Sequence, residues 1–213
     1  MAMTFEQWFS APRQQMLGNA ERDIITRLAE SLRDPFAPAP MSPDDAFDAL
    51  AEHTLPQYTY SALAQGITPC LQNHILNCGA AADLVVGVLL YLSGTSLEVQ
   101  RFLGAVNGNT ARSVLTPSSE HPGVRVTQNV TNGDNRMLFS GGHTIALVAG
   151  NQYDLISGLR GHHLDYTELE RHDDPDGTPA YDGTVDGVDY HFRKLDYVTP
   201  EGLSTYRADP EMD

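Results

Sequence analysis

The sequence is short of cysteine, of basic residues and of long apolar segments. It has two cysteines, Cys70 and Cys78, too few for a disulfide scaffold, so a reducing compartment is expected. Thirteen basic residues stand against 28 acidic ones, and the net charge of -15 disfavours nucleic acid or an anionic membrane as partner.

No apolar run reaches the roughly 18 residues of a membrane-spanning helix. The start "MAMTFEQWFSAPRQQ" lacks the apolar core of a secretory signal. We therefore expect a cytoplasmic protein, or one secreted by a route that needs no signal peptide.

The first quarter of the chain has the apolar spacing of helices. Residues 4–33 place apolar side chains three to four positions apart, and Pro12 and Gly18 interrupt the pattern. After a proline-rich connector, Ser42 is spaced to cap a short helix that ends at His53. We predict an N-terminal helical segment over residues 1–53.

The remainder, residues 54–213, is predicted to be a second unit with one strongly buried helix. In "LQNHILNCGAAADLVVGVLLYLSG" residues 79–92 are apolar almost all round, which predicts a helix buried on every side. Gly94 is suited to end this helix, and a short helix is expected over Leu97–Val106. After residue 110, short β-rich runs alternate with turn residues. Helices followed by an antiparallel sheet predict an α+β fold.

Cys78 lies at the mouth of the buried helix. The partial positive charge and unpaired N–H groups of a helix N-terminus favour thiolate over thiol, which is how a cysteine becomes a nucleophile. Gly79 would let a substrate carbonyl approach the backbone. The alternative is that Cys78 is a small packing residue.

A histidine and an acid follow in an order that suits a thiol nucleophile. His143 comes after Gly141 and Gly142 and begins the strand "HTIALV", and Asp154 lies eleven residues later in "NQYDLIS". If "AGNQ" forms a hairpin turn, the two strands pair and Asp154 faces His143. An acid that orients a base, which activates a thiol, is the logic of a catalytic triad. Asp165 is the rival acid.

This order resembles the papain-like fold superfamily over roughly residues 65–160. That group includes papain-type proteases, transglutaminase-like enzymes, NlpC/P60-type cell-wall peptidases and bacterial effector deamidases. "NCGAAADLV" is loosely similar to the NlpC/P60 opening. Gln72 has the offset of the oxyanion-hole glutamine of papain-type proteases, although no tryptophan follows Cys78. The resemblance implies a papain-like fold in which Cys78, His143 and Asp154 are catalytic, and Gln72, Gly79 and Gly142 bind substrate or oxyanion.

The resemblance also implies a reaction class. It indicates a cysteine-dependent amide hydrolase or acyltransferase without cofactor or metal, in a bacterial effector or toxin that deamidates or cleaves protein. A toxin would have an inhibitor or immunity protein as a further partner. The alternatives are a peptidoglycan peptidase or amidase, whose substrate is a peptidoglycan peptide, and a non-catalytic binding or adaptor protein that keeps only the fold.

Four weaker patterns remain. The acidic stretch 173–189 is interpreted as a solvated loop with incidental calcium affinity. His162 and His163 are interpreted as surface residues, since no second ligand pair has a convincing spacing. His74 lies close enough to Cys78 in sequence to compete with His143 as the base. A helical metal-binding face of Cys70, His74 and Cys78 is disfavoured by Pro69.

Overall fold

The computed structural model describes most of the chain as five helices and fourteen strands. The described residues are 2–11, 18–33, 40–60, 66–104, 110–114, 125–126, 137–139, 143–164, 167–177, 179–185, 188–198 and 204–210. The helices are α1 Phe5–Ser10, α2 Asn19–Leu32, α3 Pro43–Thr54, α4 Ile67–Gln72 and α5 Cys78–Ser93. The strands are β1 Ala2–Met3, β2 Thr59–Tyr60, β3 Ile75–Leu76, β4 Leu97–Gly104, β5 Thr110–Val114, β6 Arg125–Val126, β7 Met137–Phe139, β8 His143–Val148, β9 Asn151–Asp154, β10 Leu159–Gly161, β11 Thr167–Asp173, β12 Pro179–Val185, β13 Val188–Val198 and β14 Ser204–Pro210.

Local capping signals fix where the helices begin and end. The Thr4 side chain accepts from the N–H of Gln7, whose side chain in turn accepts from the N–H of Thr4, so a capping box opens α1. The hydroxyl of Ser42 accepts from the N–H of Asp45 at the start of α3, as its spacing predicts. Gly94 ends α5 in the left-handed conformation with φ 61°. The predicted cap at Ser42 and the predicted end at Gly94 are confirmed.

The helix predicted over Leu97–Val106 is wrong for Leu97–Gly104, which form strand β4, and residues 105 and 106 lie outside the described residues. Its first residues alternate in burial: Leu97 and Val99 are half-buried and the residues after each are exposed. That period of two suits a strand with one covered face. β4 pairs antiparallel with β1 on one side and with β8 on the other, and these ladders outweigh its modest helical preference.

The fold is α+β with antiparallel sheets, as predicted. The first sheet has five strands in the order β1-β4-β8-β9-β10, and its neighbours pair antiparallel. A second sheet has the order β14-β13-β12-β11-β5-β7 and is also antiparallel. Three two-residue strands form a small parallel sheet in the order β3-β2-β6.

The core is built around α5. All but two of its residues are buried, and the helix packs against α1 to α4 on some sides and against β8 of the first sheet on another. The main apolar cluster contains residues of α1, α2 and α3 together with residues of α5, β8 and β9. One core therefore extends across residue 53, and the division into units 1–53 and 54–213 stays a prediction. No helix within the described ranges is long and apolar enough to span a membrane.

The acidic stretch 173–189 is less of a loop than the sequence suggests. After Asp173 ends β11, a short turn closes with the N–H of Gly177 donating to the carbonyl of Asp174 at 2.7 Å. β12 and the start of β13 then occupy 179–185 and 188–189. The loop interpretation is wrong for residues 179–185 and 188–189, because they pair antiparallel with neighbouring strands of the second sheet.

Candidate functional site

Cys78 is the first residue of α5. The helix begins one residue earlier than its apolar pattern predicts, because Asn77 caps it: the Asn77 side chain accepts from the N–H of Ala80 at 2.6 Å. Cys78 is half-buried and packs against the edge of the main core, whereas Gly79 after it is buried. The thiol is thus placed at the positive end of the helix dipole and within reach of solvent.

His143 and Asp154 occupy the strand positions that the sequence predicts. His143 begins β8, where its backbone is paired with Gly104 of β4. β8 and β9 form a hairpin, with Ala149 and Gly150 as its two turn residues, so the predicted pairing through "AGNQ" is confirmed. Gly141, Gly142 and Asp165 lie outside the described residues.

The register of the hairpin places Asp154 near His143 along the ladder. Ala146 pairs with Tyr153, so the next step of the ladder brings Asp154 beside Ile145, which is two positions from His143. The prediction that Asp154 directly faces His143 is therefore wrong by two residues, because the residue opposite Asp154 is Ile145.

The carboxylate of Asp154 also closes a turn. Its Oδ1 accepts from the N–H of Ile156 at 3.0 Å, and its Oδ2 accepts from the hydroxyl of Ser157 at 2.8 Å. Asp154 is 1% exposed, so these bonds replace hydration that burial has removed. The turn continues with the N–H of Gly158 donating to the carbonyl of Asp154. The sequence analysis missed this role, although aspartate side chains in turns often accept from the backbone N–H two residues later.

Gln72 is exposed and ends α4, five residues after the helix begins at Ile67. Asn73 caps the helix with its N–H donating to the carbonyl of Pro69. His74 then takes the left-handed conformation, φ 53°, and the chain turns back into β3. Gln72 is therefore separated from Cys78 by a chain reversal and a short strand, and its contribution to an oxyanion site stays a prediction.

Cys70 is the neighbour of this site that the sequence analysis left aside. It is 1% exposed, on the buried face of α4. Burial raises the pKa of the Cys70 thiol, and the backbone N–H of Asn77, the capping residue of α5, has a smaller, lowering effect. Burial also raises the pKa of nearby Tyr58, with a smaller contribution from Cys70. Cys70 thus behaves as an inert packing thiol in the resting protein.

His74, His162 and His163 are the described histidines that the sequence raises as metal ligands. The Tyr58 and His74 rings lie 5.0 Å apart. Helix α4 ends at Gln72. No helical face is therefore shared by Cys70, His74 and Cys78, as the sequence predicts. His162 and His163 are exposed, as predicted, and His162 Nδ1 lies 3.4 Å from the carbonyl oxygen of Gly150. Within the described part of the chain, no three His, Cys, Asp or Glu side chains are grouped to hold a metal ion.

Comparison with known proteins adds no relative to this geometry. No protein-family model matches the chain, no curated protein is significantly similar in sequence, and no solved structure is significantly similar to the fold.

Proposed function

We propose that this protein is a cysteine-dependent amide hydrolase or acyltransferase of papain-like fold, with Cys78 as its nucleophile. The observation that carries the proposal is the position of Cys78, half-buried at the first residue of a helix whose other residues are almost all buried. That helix packs on an antiparallel sheet, in which β8 begins with His143 and the paired strand β9 ends with Asp154. Protein side chains or peptide bonds are the proposed substrates, as in bacterial effectors.

The proposed reaction assigns a role to each of these residues. His143 takes the proton of the Cys78 thiol, and the thiolate attacks an amide carbon. The backbone N–H of Cys78, with Gln72 as the second donor, stabilises the oxyanion. His143 then returns the proton to the departing amine, which leaves a thioester on Cys78. Water or a second amine attacks the thioester and restores the thiol.

An activated acyl donor tests the proposal without knowledge of the natural substrate. With p-nitrophenyl acetate, we expect a burst of nitrophenolate that approaches one equivalent of protein, followed by slower turnover. The burst should disappear in Cys78→Ala and persist in Cys70→Ser, the matched change at the buried thiol. A burst that survives in a folded Cys78→Ala variant would show that Cys78 is not the nucleophile.

The pairing with His143 is tested by the pH dependence of alkylation. If an imidazolium stabilises the thiolate, His143→Ala should raise the pKa of Cys78 and slow its reaction with iodoacetamide near neutral pH. His163→Ala, at an exposed histidine distant in sequence from the strand, serves as the control. Identical pH profiles for parent and His143→Ala would exclude the pairing.

A second candidate is a binding or adaptor protein that keeps the fold without catalysis. The hydrogen bonds of the Asp154 carboxylate to Ile156 and Ser157 favour it, because they give Asp154 a structural use. The binding candidate predicts no burst in the parent protein. If a burst is present, Asp154→Asn separates the two roles of Asp154. A catalytic role predicts a turnover loss on the order of ten- to ten-thousandfold with a smaller change in stability. A structural role predicts lower stability in urea unfolding and unchanged burst kinetics.

A further inference from the structure

Thr144 is a buried polar residue whose hydroxyl has no hydrogen-bond partner among the residues that the structure describes. Its exposed fraction is 7%. The other buried threonine and serine hydroxyls of the described chain each donate a hydrogen bond within the fold, namely those of Thr54, Ser93 and Ser157. Burial of a hydroxyl without a partner destabilises a protein, so its presence points to a ligand from outside the fold.

The ladder of the first sheet places Thr144 on the face that packs against α5. Ala146 and Val148 are fully buried and belong to the apolar cluster around α5. Val99, which lies opposite Val148 on β4, packs against the same cluster. Side chains two positions apart on a strand share a face. The Thr144 side chain therefore points from β8 towards α5.

Along the helix axis, Thr144 lies near the beginning of α5. Only residues 94–96 separate α5 from β4, and α5 packs against both β4 and β8, so β4 runs back along the helix. Thr144 lies opposite Leu103, near the far end of β4, and the strand has advanced about 20 Å there at roughly 3.3 Å per residue. The 16 residues of α5 span about 24 Å. Thr144 is thus level with the first turns of the helix, where Cys78 lies.

The first turn of α5 supplies a second unpaired donor. Asn77 accepts from the N–H of Ala80 with its side chain and from the N–H of Ala81 with its carbonyl. The N–H of Gly79 has no acceptor in the described part of the chain, although Gly79 is buried. The helix N-terminus also favours negative charge. A hydroxyl and an N–H that both lack an acceptor suit one ligand atom, an oxygen that carries negative charge.

We propose that the Thr144 hydroxyl and the Gly79 N–H bind the carbonyl oxygen of the acyl group that Cys78 accepts. This oxygen gains negative charge when the thiolate attacks, so the two donors bind the transition state more strongly than the substrate. Both donors keep their protons throughout the step. The role of Thr144 rests on the proposed function, because it requires that Cys78 is acylated. It gives the oxyanion a buried side-chain donor, whereas Gln72 is exposed.

Thr144→Val tests the proposal, since valine has the shape of threonine without its hydroxyl. With p-nitrophenyl acetate in stopped flow, we expect the rate constant of the burst to fall about tenfold to a thousandfold. The ester concentration at half the maximal rate should stay unchanged, because the contact is made in the transition state. Thr144→Ser keeps the hydroxyl and should restore most of the lost rate. The urea midpoint of Thr144→Val should not fall, since no hydrogen bond within the fold is lost.

Thr54→Val is the matched control at a buried threonine that is bonded within the fold. The Thr54 hydroxyl donates to the carbonyl of Leu50 at 2.7 Å. Its loss should lower the urea midpoint and leave the burst rate unchanged. The two valine variants should therefore differ in opposite directions, one in rate and the other in stability.

Three outcomes count against the role of Thr144, and each has its own meaning. Equal burst rate constants in the parent and in Thr144→Val would overturn it while Cys78 stays the nucleophile. A lower urea midpoint for Thr144→Val, or a failure of this variant to fold, would show that the hydroxyl has a partner within the fold. A parent protein without a burst would remove the proposed function itself, and the role of Thr144 with it.

Discussion

At the scale of single residues, the backbone conformation of Ala149 is the clearest conflict between local preference and fold. Ala149 and Gly150 form the two-residue turn between β8 and β9, with φ of 50° and 83°. Positive φ at both positions is the type I′ turn, for which Asn-Gly is preferred. Glycine meets the requirement, whereas alanine pays a steric cost there. The N–H of Ala149 donates to the carbonyl of Glu98 at 2.7 Å, which holds the turn against β4.

We expect Ala149→Asn to stabilise the protein by about 0.5–1 kcal/mol, because asparagine enters the left-handed region more readily than alanine. Urea unfolding measures the change. Ala149→Val is the opposite control, since a β-branched side chain is a strong outlier at positive φ, and it should destabilise. An unchanged midpoint for both variants would mean that the turn is not strained.

At the scale of elements, α5 is held by close backbone approach as well as by apolar burial. Gly87 lies in the middle of the helix, where a Cβ would be 3.0 Å from Ile25 Cγ2 and 3.1 Å from Trp8 Cζ3. Both partners are buried. The glycine therefore allows α1 and α2 to pack against α5, and this contact outweighs the helical penalty of glycine, about 1 kcal/mol relative to alanine.

Gly87→Ala should destabilise the protein by about 1–3 kcal/mol through overpacking, although alanine is the better helix former. Thermal or urea unfolding gives the size of the loss. Ile25→Val removes the Cδ1 atom that lies 3.1 Å from the added carbon. The double variant should lose less than the sum of the single changes. Strict additivity would show that the contact with Ile25 Cδ1 is not the cause.

A polar network joins α3 to the edge of the first sheet. The Tyr153 hydroxyl donates to Asp44 at 2.7 Å. Arg160 donates to both carboxylate oxygens of Asp48, at 2.7 and 2.9 Å, and forms an ion pair with Asp44 at 2.8 Å. Such bidentate pairs orient the partners more firmly than single contacts do. Burial, together with the bond to Asp44, raises the pKa of Tyr153 to about 12.

This pKa predicts a loss of stability at alkaline pH. Below about pH 10 the Tyr153 phenol is protonated in both the folded and the unfolded protein. Above it the unfolded phenol ionises while the folded one keeps its proton, so the free energy of unfolding falls as pH rises to about 12. Tyr153→Phe should lose about 0.5–1.5 kcal/mol at neutral pH and decline less steeply above pH 10. Parallel stability curves for the two proteins would contradict the raised pKa.

At the scale of the whole molecule, the N-terminal helices complete the core around α5. The apolar cluster that contains the buried residues of α5 also contains large side chains of these helices, namely Phe5, Trp8, Ile25, Phe47 and Leu50. Burial of each large apolar side chain stabilises a protein by about 1.5–3 kcal/mol. The loss of several such contacts approaches the whole stability of a typical domain.

We expect residues 54–213 not to fold cooperatively alone, because removal of 1–53 uncovers the face of α5 that contains Gly87. The truncated chain should bind ANS and should lack the sharp urea transition of the full-length protein. Near-ultraviolet circular dichroism gives a second check. A truncated chain with a native-like spectrum and a sharp transition would establish that the two predicted units are separate domains.

The sequence by itself determined the features that depend on neighbouring residues. Ser42 predicted the start of α3, and Gly94 predicted the end of α5. The apolar run 79–92 predicted that the helix beginning at Cys78 is buried. The strand that His143 begins and its hairpin with β9 were also predictable, because alternation and turn residues act within a dozen positions.

Only the tertiary structure decided the features that depend on partners distant in sequence. Leu97–Gly104 is a strand because β1 and β8 pair with it on both sides. The burial of Cys70 requires α4, β3 and α5 to pack together. The burial that commits Asp154 to its turn depends on the whole sheet. Pairing and burial are sums over distant contacts, so a local pattern of residues does not contain them.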